Sequence, residues 1–318
     1  MDINQVYKTG VDYKYASKIF EDAATVRNAT LTHTYSSIAK SDWMENVVQS
    51  VRDKGVDMLP KPILQDDLRA QKNFIQEAFR FRSGRLSPSA VPAGGLNGLL
   101  AEKRITFDDC ASPTEFRARM AQVASISVKN PLIDNLELVR ICADPCLTNI
   151  ASRLLGAPAA LTWVKMGRSL PNFSEAFNTQ QFHIDRGSIR TIKFLIFLND
   201  PSLSCGFFKY WKESHLDGKL WWDKSIRLTE QSLTDFYGVD RLSKLGKSAF
   251  DIVVADTIGV HAGCVPRDFH RDVLIISYGL HKEFALDGSQ DACPVVQRKL
   301  IDNLARDTNG IFDLCHIQ

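Results

Sequence analysis

The chain predicts a mainly β fold with antiparallel strands behind a shell of helices, and three observations carry that prediction. Helical spacing of apolar residues dominates from about residue 41 to 156, and short β-branched and aromatic runs take over from about 160. Those runs are separated by loops rather than regular helices, which argues against a parallel βαβ sheet and for an antiparallel sandwich or barrel. Neither half alone reads as a complete domain, so the whole chain, 1–318, is read as one. Its helical part covers about 1–156, its β core about 157–282 and its C-terminal tail 283–318.

Taken in order, "SDWMENVVQSVRDKG" offers Ser41 as a helix cap, apolar residues at helical spacing and Gly55 as a stop. Further helices are expected at 65–82 and 114–124. The stretch "RLSPSAVPAGGLNGLLAEKR" (85–104), rich in Pro, Gly and Ser, reads as an ordered surface loop. The amphipathic segment "NLELVRICADPCLTNIASRLLG" (135–156) is interrupted at Pro145 and closes on Gly156. Strands follow at "ALTWVKM", "TIKFLIFL", "GFFKYW", "AFDIVVA" and "RDVLIISYGL". The segment beyond 282 has no assigned place, and no internal repeat or low-complexity tract appears.

Composition narrows the function class. Lys and Arg number 39 against 37 Asp and Glu, a net charge of +2, so there is no electrostatic reason to expect nucleic acid or an anionic membrane as partner. No apolar run approaches the roughly 20 residues that span a bilayer. The start "MDINQVYKTGVDYKYA" lacks the basic and apolar regions of a secretory signal, and the expectation is a cytoplasmic globular protein. The seven cysteines are odd in number, scattered and without a Cys-x-x-Cys pair; they read as buried free thiols. The sequons "NAT" (28–30) and "NFS" (172–174) have no meaning without secretion.

Chemistry concentrates in "NTQQFHIDRGSIRTIKFLIFLND" (178–200). In extended backbone, residues two apart share a face, so His183 and Asp185 can offer an imidazole and a carboxylate to one point. Such a pair arises often by chance and needs a third ligand. The candidate is His261 in "ADTIGVHAGCVPRDFHRDVLIISY" (255–278), placed in a loop leading into a strand. Two histidines and one carboxylate on one side of a metal leave the opposite positions open, as in non-haem Fe(II) oxygenases. Arg271 follows at the start of "RDVLIISYGL", where alternation puts Arg271, Val273, Ile275 and Ser277 on one face. A guanidinium among apolar residues suits an anion such as a small dicarboxylate; a structural salt bridge is the alternative, and Arg267 is the rival anchor. His33, His215, His270, His281 and His316 read as surface or core histidines, with a loop position near the site mouth as the alternative for His215.

These segments together resemble the phytanoyl-CoA dioxygenase family of Fe(II)- and 2-oxoglutarate-dependent oxygenases, over roughly residues 45 to 282. "VRDKGVDMLPKPI" is similar to the family's helix and first strand, and "ICADPCLTNIASRLLGAPAAL" to the helix before its barrel. "QQFHID" is similar to its first metal motif, "IKFLIFLNDPSLSCGFFKYWKESH" to the strand pair after it, and "ADTIGVHAG" with Arg271 to the distal segment. The resemblance implies a double-stranded β-helix, or jelly roll, in which His183, Asp185 and His261 hold Fe(II) and Arg271 pairs with the far carboxylate of 2-oxoglutarate, O2 being the other co-substrate. Lys193 matches a basic position that can help bind the co-substrate or simply extend from the strand, and Gln181 can hydrogen-bond the co-substrate or a ligand. Two positions depart from the pattern: Gly263 stands where some members carry Ser or Thr, and "ESH" (213–215) where "GSH" is typical.

The implied reaction is oxidation, foremost hydroxylation, of a C–H bond in a small-molecule substrate of specialised biosynthesis, with release of succinate and CO2. The retained Asp185 disfavours halogenation, whereas desaturation, epoxidation and ring formation use the same ligands. A cupin-like metalloenzyme without 2-oxoglutarate, or a non-catalytic binding protein, stays open; a zinc hydrolase lacks a visible general base. Phe173, Phe182, Phe207, Trp211, Trp221 and Trp222 are the aromatic candidates for the pocket, one or two of them lining it and the rest core.

Overall fold

The computed structural model describes residues 21–22, 24–25, 27, 41–60, 64–90, 104–176, 178–185, 190–201, 206–217, 228–280, 294–304 and 310–318. Helix α1 (Asp42–Lys54) forms where Met44, Val47, Val48 and Val51 recur on one buried face, with acidic residues in its first turn and basic ones in its last. Ser41 occupies the N-cap position in extended backbone, but its hydroxyl makes no capping bond. Gly55 ends the helix at φ 85° and leads directly into strand β1 (Val56–Met58). Helix α2 (Gln65–Ala78) stops short of the expected residue 82, and the Ser83 hydroxyl donates to the Ala78 carbonyl, giving the helix end a side-chain partner.

The expected loop at 85–104 is pinned at its ends by the two-residue strands β2 (Ser89–Ala90) and β3 (Arg104–Ile105), which pair antiparallel; 91–103 lie outside the described residues. Helix α3 (Pro113–Met120) is capped by Ser112, which accepts from the Glu115 N–H. The Pro145 interruption separates helices α4 (Leu136–Cys142) and α5 (Pro145–Leu155). Asp144 caps α5 by accepting from Cys146 and Leu147, and Gly156 closes it at φ 76°.

Two antiparallel sheets carry the rest. The larger has the order β1-β9-β6-β11-β5-β4 and is built from β4 (Ser125–Ser127), β5 (Ala160–Ser169), β6 (Ile192–Phe197), β9 (Ile252–Asp256) and β11 (Arg271–Gly279) together with β1. The smaller has the order β10-β7-β8, from β7 (Phe208–Trp211), β8 (Leu242–Leu245) and β10 (His261–Gly263). Strand alternation sends the two faces of the larger sheet to different neighbours. Met166, Phe194, Ile196, Leu274, Ile276 and Tyr278 join the helical core with Ile141, Leu147 and Ile150. Leu195, Phe197, Val253 and Val273 instead meet Phe208 and Tyr210 of the smaller sheet. The site lies between the sheets.

The short helix α6 (Glu230–Tyr237) precedes β8. The tail beyond 282, unplaced from sequence, packs in its described parts on the helix side: β12 (Val295–Val296) pairs with β13 (His316–Ile317), α7 (Arg298–Asp302) lies between them in sequence, and Val296, Leu300, Ile311 and Phe312 enter the core. Among the described cysteines all five are free, as expected; Cys110 and Cys142 are buried, Cys146, Cys264 and Cys315 only half-buried, and Cys205 and Cys293 lie outside the described residues. No helix of the described residues is long and apolar enough to cross a membrane.

Candidate metal centre

His183 and Asp185 stand in extended backbone just after a 3-10 turn (Asn178–Gln180). His183 pairs with His261 through both main-chain bonds, His183 N–H to His261 C=O at 3.0 Å and the reverse at 2.9 Å. Asp185 N–H donates to Thr257 C=O at 3.0 Å. His261 therefore does not lie in a loop, as expected, but opens β10, opposite Tyr210 of β7. The pairing brings the two imidazoles to 4.3 Å between ring centroids, and Phe208 packs on the His261 ring at 5.6 Å.

Each imidazole is oriented in the same way. His183 Nδ1 lies 2.8 Å from the carbonyl of Gln181, and His261 Nδ1 lies 2.9 Å from that of Gly259. A proton on Nδ1 donating to each carbonyl leaves both Nε2 lone pairs free, which is the tautomer a metal ligand needs. The two Nε2 atoms approach Asp185 to 3.7 and 3.5 Å, and the ligand atoms of the three residues lie within 4.8 Å of one another. This donor set, two imidazoles and one carboxylate, fits a divalent first-row metal with positions left open.

The electrostatics agree. Burial alone would raise the Asp185 carboxyl, but the Lys193 ammonium, 2.8 Å from Oδ2, and the two histidines hold it well below the usual carboxylate range. Burial and the neighbouring His183 push His261 down to about 4, so its imidazole is neutral at physiological pH.

A pocket of about 130 Å³ opens from the three residues between the sheets. Its floor is the inward face of β5, β11 and β6, where register places side chains in rows: Ser169 beside Arg271; Gly167, Val273 and Phe197; Lys165, Ile275 and Leu195; and Trp163, Ser277 and Lys193. Lys193 thus does not extend from a strand edge but turns to Asp185, with its ammonium 4.9 Å from the Trp163 ring centroid. At the far end the Arg271 guanidinium donates to the carbonyls of Cys264 (3.1 Å), Phe207 (3.4 Å) and Gly206 (3.5 Å) and to the Ser169 hydroxyl (3.2 Å). Its rival Arg267 is exposed and borders a neighbouring cleft instead.

Both departures from the family pattern have a physical reason. A Cβ on Gly263 would stand 2.7 Å from Arg271 Nη2, so the glycine is the space through which the guanidinium passes. Glu213 takes the left-handed backbone that a glycine would favour (φ 67°). It is held there by its N–H to Lys54 C=O at 3.0 Å and its carboxylate to Arg241 at 3.1 Å.

The neighbouring cleft, about 1170 Å³, meets the pocket at Gly263 and is lined in part by Phe173, Phe182 and Phe207. Gln181 lines this cleft and reaches the pocket only through its carbonyl bond to His183. Trp211 is fully buried in a separate apolar cluster, and Trp221 and Trp222 lie outside the described residues. His215 turns away from the pocket to the Arg52 carbonyl at 3.0 Å, and His270 pairs with Asp272. His316 is exposed in β13, and His33 and His281 lie outside the described residues. Sequence reasoning missed Lys165, Trp163, Phe197 and Phe208 as pocket residues. The first two lie in "ALTWVKM", where only the pairing of β5 with β11 says which face meets the site.

No protein-family model and no curated protein sequence matches the chain. Its fold does match solved structures. One is the non-heme alpha ketoglutarate dependent carbocyclase SnoK from nogalamycin biosynthesis, 17% identical, with a TM-score of 0.53 over 80% of this chain and 90% of that one. Another is the non-heme alpha ketoglutarate dependent epimerase SnoN from the same biosynthesis, 15% identical, with a TM-score of 0.52 over 74% of this chain and 82% of that one. SnoN has also been solved in complex with Fe3+, alpha ketoglutarate and nogalamycin RO, and that structure matches at a TM-score of 0.51 and 14% identity over 74% of this chain and 83% of that one. At this identity the likeness establishes the fold alone: the chain is built on the same framework as these two proteins.

Proposed function

We propose that the chain is an Fe(II)- and 2-oxoglutarate-dependent oxygenase that oxidises, foremost hydroxylates, a C–H bond of a small-molecule substrate. The observation that carries this reading is one pocket with two oriented imidazoles and a carboxylate converging at one end and a guanidinium at the other. In this reading residues 1–318 act as one catalytic domain, the two sheets are the walls of a double-stranded β-helix, and the chain is a member of the phytanoyl-CoA dioxygenase family.

His183, Asp185 and His261 would hold the iron. The Nδ1 bonds to Gln181 and Gly259 keep both rings in the ligating tautomer, and Phe208 limits rotation of His261. Bound iron, with 2-oxoglutarate and O2, supplies the oxidising chemistry, the co-substrate leaving as succinate and CO2. Arg271 would take the far carboxylate of 2-oxoglutarate, and Lys193, a pocket residue beside Asp185, would help bind the co-substrate. Leu195, Phe197, Val273 and Ile275 keep water out between the two charged ends. The wider cleft beyond Gly263 would hold the organic substrate, with Phe173, Phe182 and Phe207 against its apolar part. Asp185 occupies the ligand position a halide would need, which favours oxygenation over halogenation. Ring formation or epimerisation is the second reading, favoured by the reactions named for SnoK and SnoN.

The test is anaerobic titration with Fe(II) and 2-oxoglutarate, followed by product mass. One iron per chain and a weak visible charge-transfer band are expected, both lost in His183→Ala and His261→Ala. Wild-type-like iron binding in both variants would sink the assignment. The wild type should give no chlorinated product at any chloride concentration, and Asp185→Gly should bind iron weakly and stop oxidising.

A further inference from the structure

Among the described residues, the pocket walls carry three cationic side chains, Lys165, Lys193 and Arg271, and one carboxylate, Asp185. Lys193 is matched to that carboxylate at 2.8 Å. Arg271 is seated on carbonyls and a hydroxyl. Lys165 has neither a hydrogen bond nor an ion pair among the described residues. Holding an ammonium in a largely apolar pocket costs stability unless something anionic meets it. Burial, reinforced by Lys193 and Arg271, lowers the pKa of this lysine, the direction expected of a cation lacking a counter-charge.

Where the Lys165 side chain goes identifies what it would meet. Its Cα shares a row with Ile275 and Leu195, one row from Lys193 and two rows from Arg271, rows being about 6.8 Å apart. A Cβ on Gly167 would touch Lys165 Cε at 3.2 Å, so the stem runs along the strand over Gly167 toward Ser169. Ser169 is the residue whose hydroxyl receives Arg271 Nη2. The stem therefore extends along the strand toward the Ser169 end of the pocket, between Lys193 and Arg271, and Gly167 leaves the room for it to do so.

We propose that Lys165 and Arg271 form a two-cation clamp on the far carboxylate of the pocket's 2-oxo acid, making Lys165 a specificity residue that selects a dicarboxylate over a monocarboxylate of the same length. The inference rests on the iron- and 2-oxoglutarate-dependent reading above. It asks of Lys165 only binding, with no proton transfer.

The test is calorimetric titration of the full chain loaded with Ni(II), using 2-oxoglutarate and 2-oxopentanoate, the five-carbon 2-oxo acid that lacks the far carboxylate. Lys165→Met keeps the stem and removes the charge. It should weaken 2-oxoglutarate roughly 10- to 100-fold and leave 2-oxopentanoate within about twofold of the wild type. Lys165→Arg should restore most of the loss. Without ligand, Lys165→Met should melt at or above the wild-type temperature, which separates lost recognition from lost folding. Equal 2-oxoglutarate affinity in Lys165→Met and wild type, or equal weakening of both acids, overturns the clamp while the oxygenase reading stands. A wild type that does not prefer 2-oxoglutarate over 2-oxopentanoate overturns both.

Discussion

The two faces of the six-stranded sheet handle charge in opposite ways. On the helix face, the Arg168 guanidinium grips Asp272 through two bonds of 2.7 and 2.8 Å and lies over the Phe79 ring at 4.2 Å, so each charge is met within the protein. On the pocket face of the same strands, Arg271, next to Asp272, rests on carbonyls and a hydroxyl, and Lys165, three residues before Arg168, has neither a hydrogen bond nor an ion pair among the described residues. The same strands, β5 and β11, supply both arrangements. A face that only has to be stable neutralises its charges during folding. The pocket face instead holds one matched pair, Lys193 with Asp185, beside Lys165, which has no ion pair among the described residues.

The largest effect is expected from breaking the helix-face pair. Arg168→Leu strands Asp272, whose side chain is 3% exposed, and should cost about 3–5 kcal/mol in urea unfolding at pH 7. The pH dependence follows from Asp272. Burial alone would raise its carboxyl, but Arg168 and His270 hold it below the ordinary value. In the wild type its contribution is present above the unfolded carboxyl pKa of about 3.9 and is lost as pH falls through the lower folded value. In the variant a neutral Asp272 no longer needs a partner, so the deficit should narrow as pH falls below about 4. A deficit independent of pH would mean that packing on Phe79, and not charge, holds Arg168.

Next comes Arg271→Ala on the pocket face, which should reverse the pattern by sparing stability and losing the co-substrate. Metal binding should persist while 2-oxoglutarate affinity falls by on the order of 2–5 kcal/mol, roughly 30- to several-thousand-fold. Arg267→Ala should be close to neutral, since that residue is exposed on the outer cleft. Calorimetry on both variants checks this, and a reversed order would make Arg267 the anchor.

Buried tyrosines sharpen the comparison because neutral polar groups should behave alike on both sides. Tyr278 on the helix side donates to the Cys142 carbonyl, and Tyr210 on the other side donates to the Asp256 carbonyl, each at 2.7 Å. Tyr278→Phe and Tyr210→Phe should each cost about 1–3 kcal/mol in urea unfolding, with no consistent difference between the faces. Smallest of all is Gly263→Ala, whose methyl would press on Arg271 Nη2. It should reduce 2-oxoglutarate affinity about tenfold with little change in melting temperature. Unchanged affinity would show that the guanidinium has room to move aside.

Part of this was legible in the residues alone. The strand runs at "TIKFLIFL" and "RDVLIISYGL" have β-branched and aromatic composition bounded by turns, and they form β6 and β11 where that composition lies. Asp144 before Pro145 splits the helical segment because a proline tolerates only the first turn and the aspartate supplies the cap. Other features left no local signal. β10 is only three residues long and exists because His261 bonds to His183 on one side and lies opposite Tyr210 on the other. The C-terminal segment joins the core through a few apolar residues, Val296, Leu300, Ile311 and Phe312, too sparse to read as an element.

By itself the sequence determined which residues can share a face, since the two-residue period of a strand is a property of the backbone. That period put His183 with Asp185 and Arg271 with Val273 and Ile275 before any pairing was known. Which strands become neighbours is decided by closing long loops so that both faces of the sheet are buried at once, and no local pattern encodes that. Only the tertiary structure therefore turned Gln181 and Gly259 into the carbonyls that orient the two imidazoles, and brought Lys165 and Arg271 into one pocket.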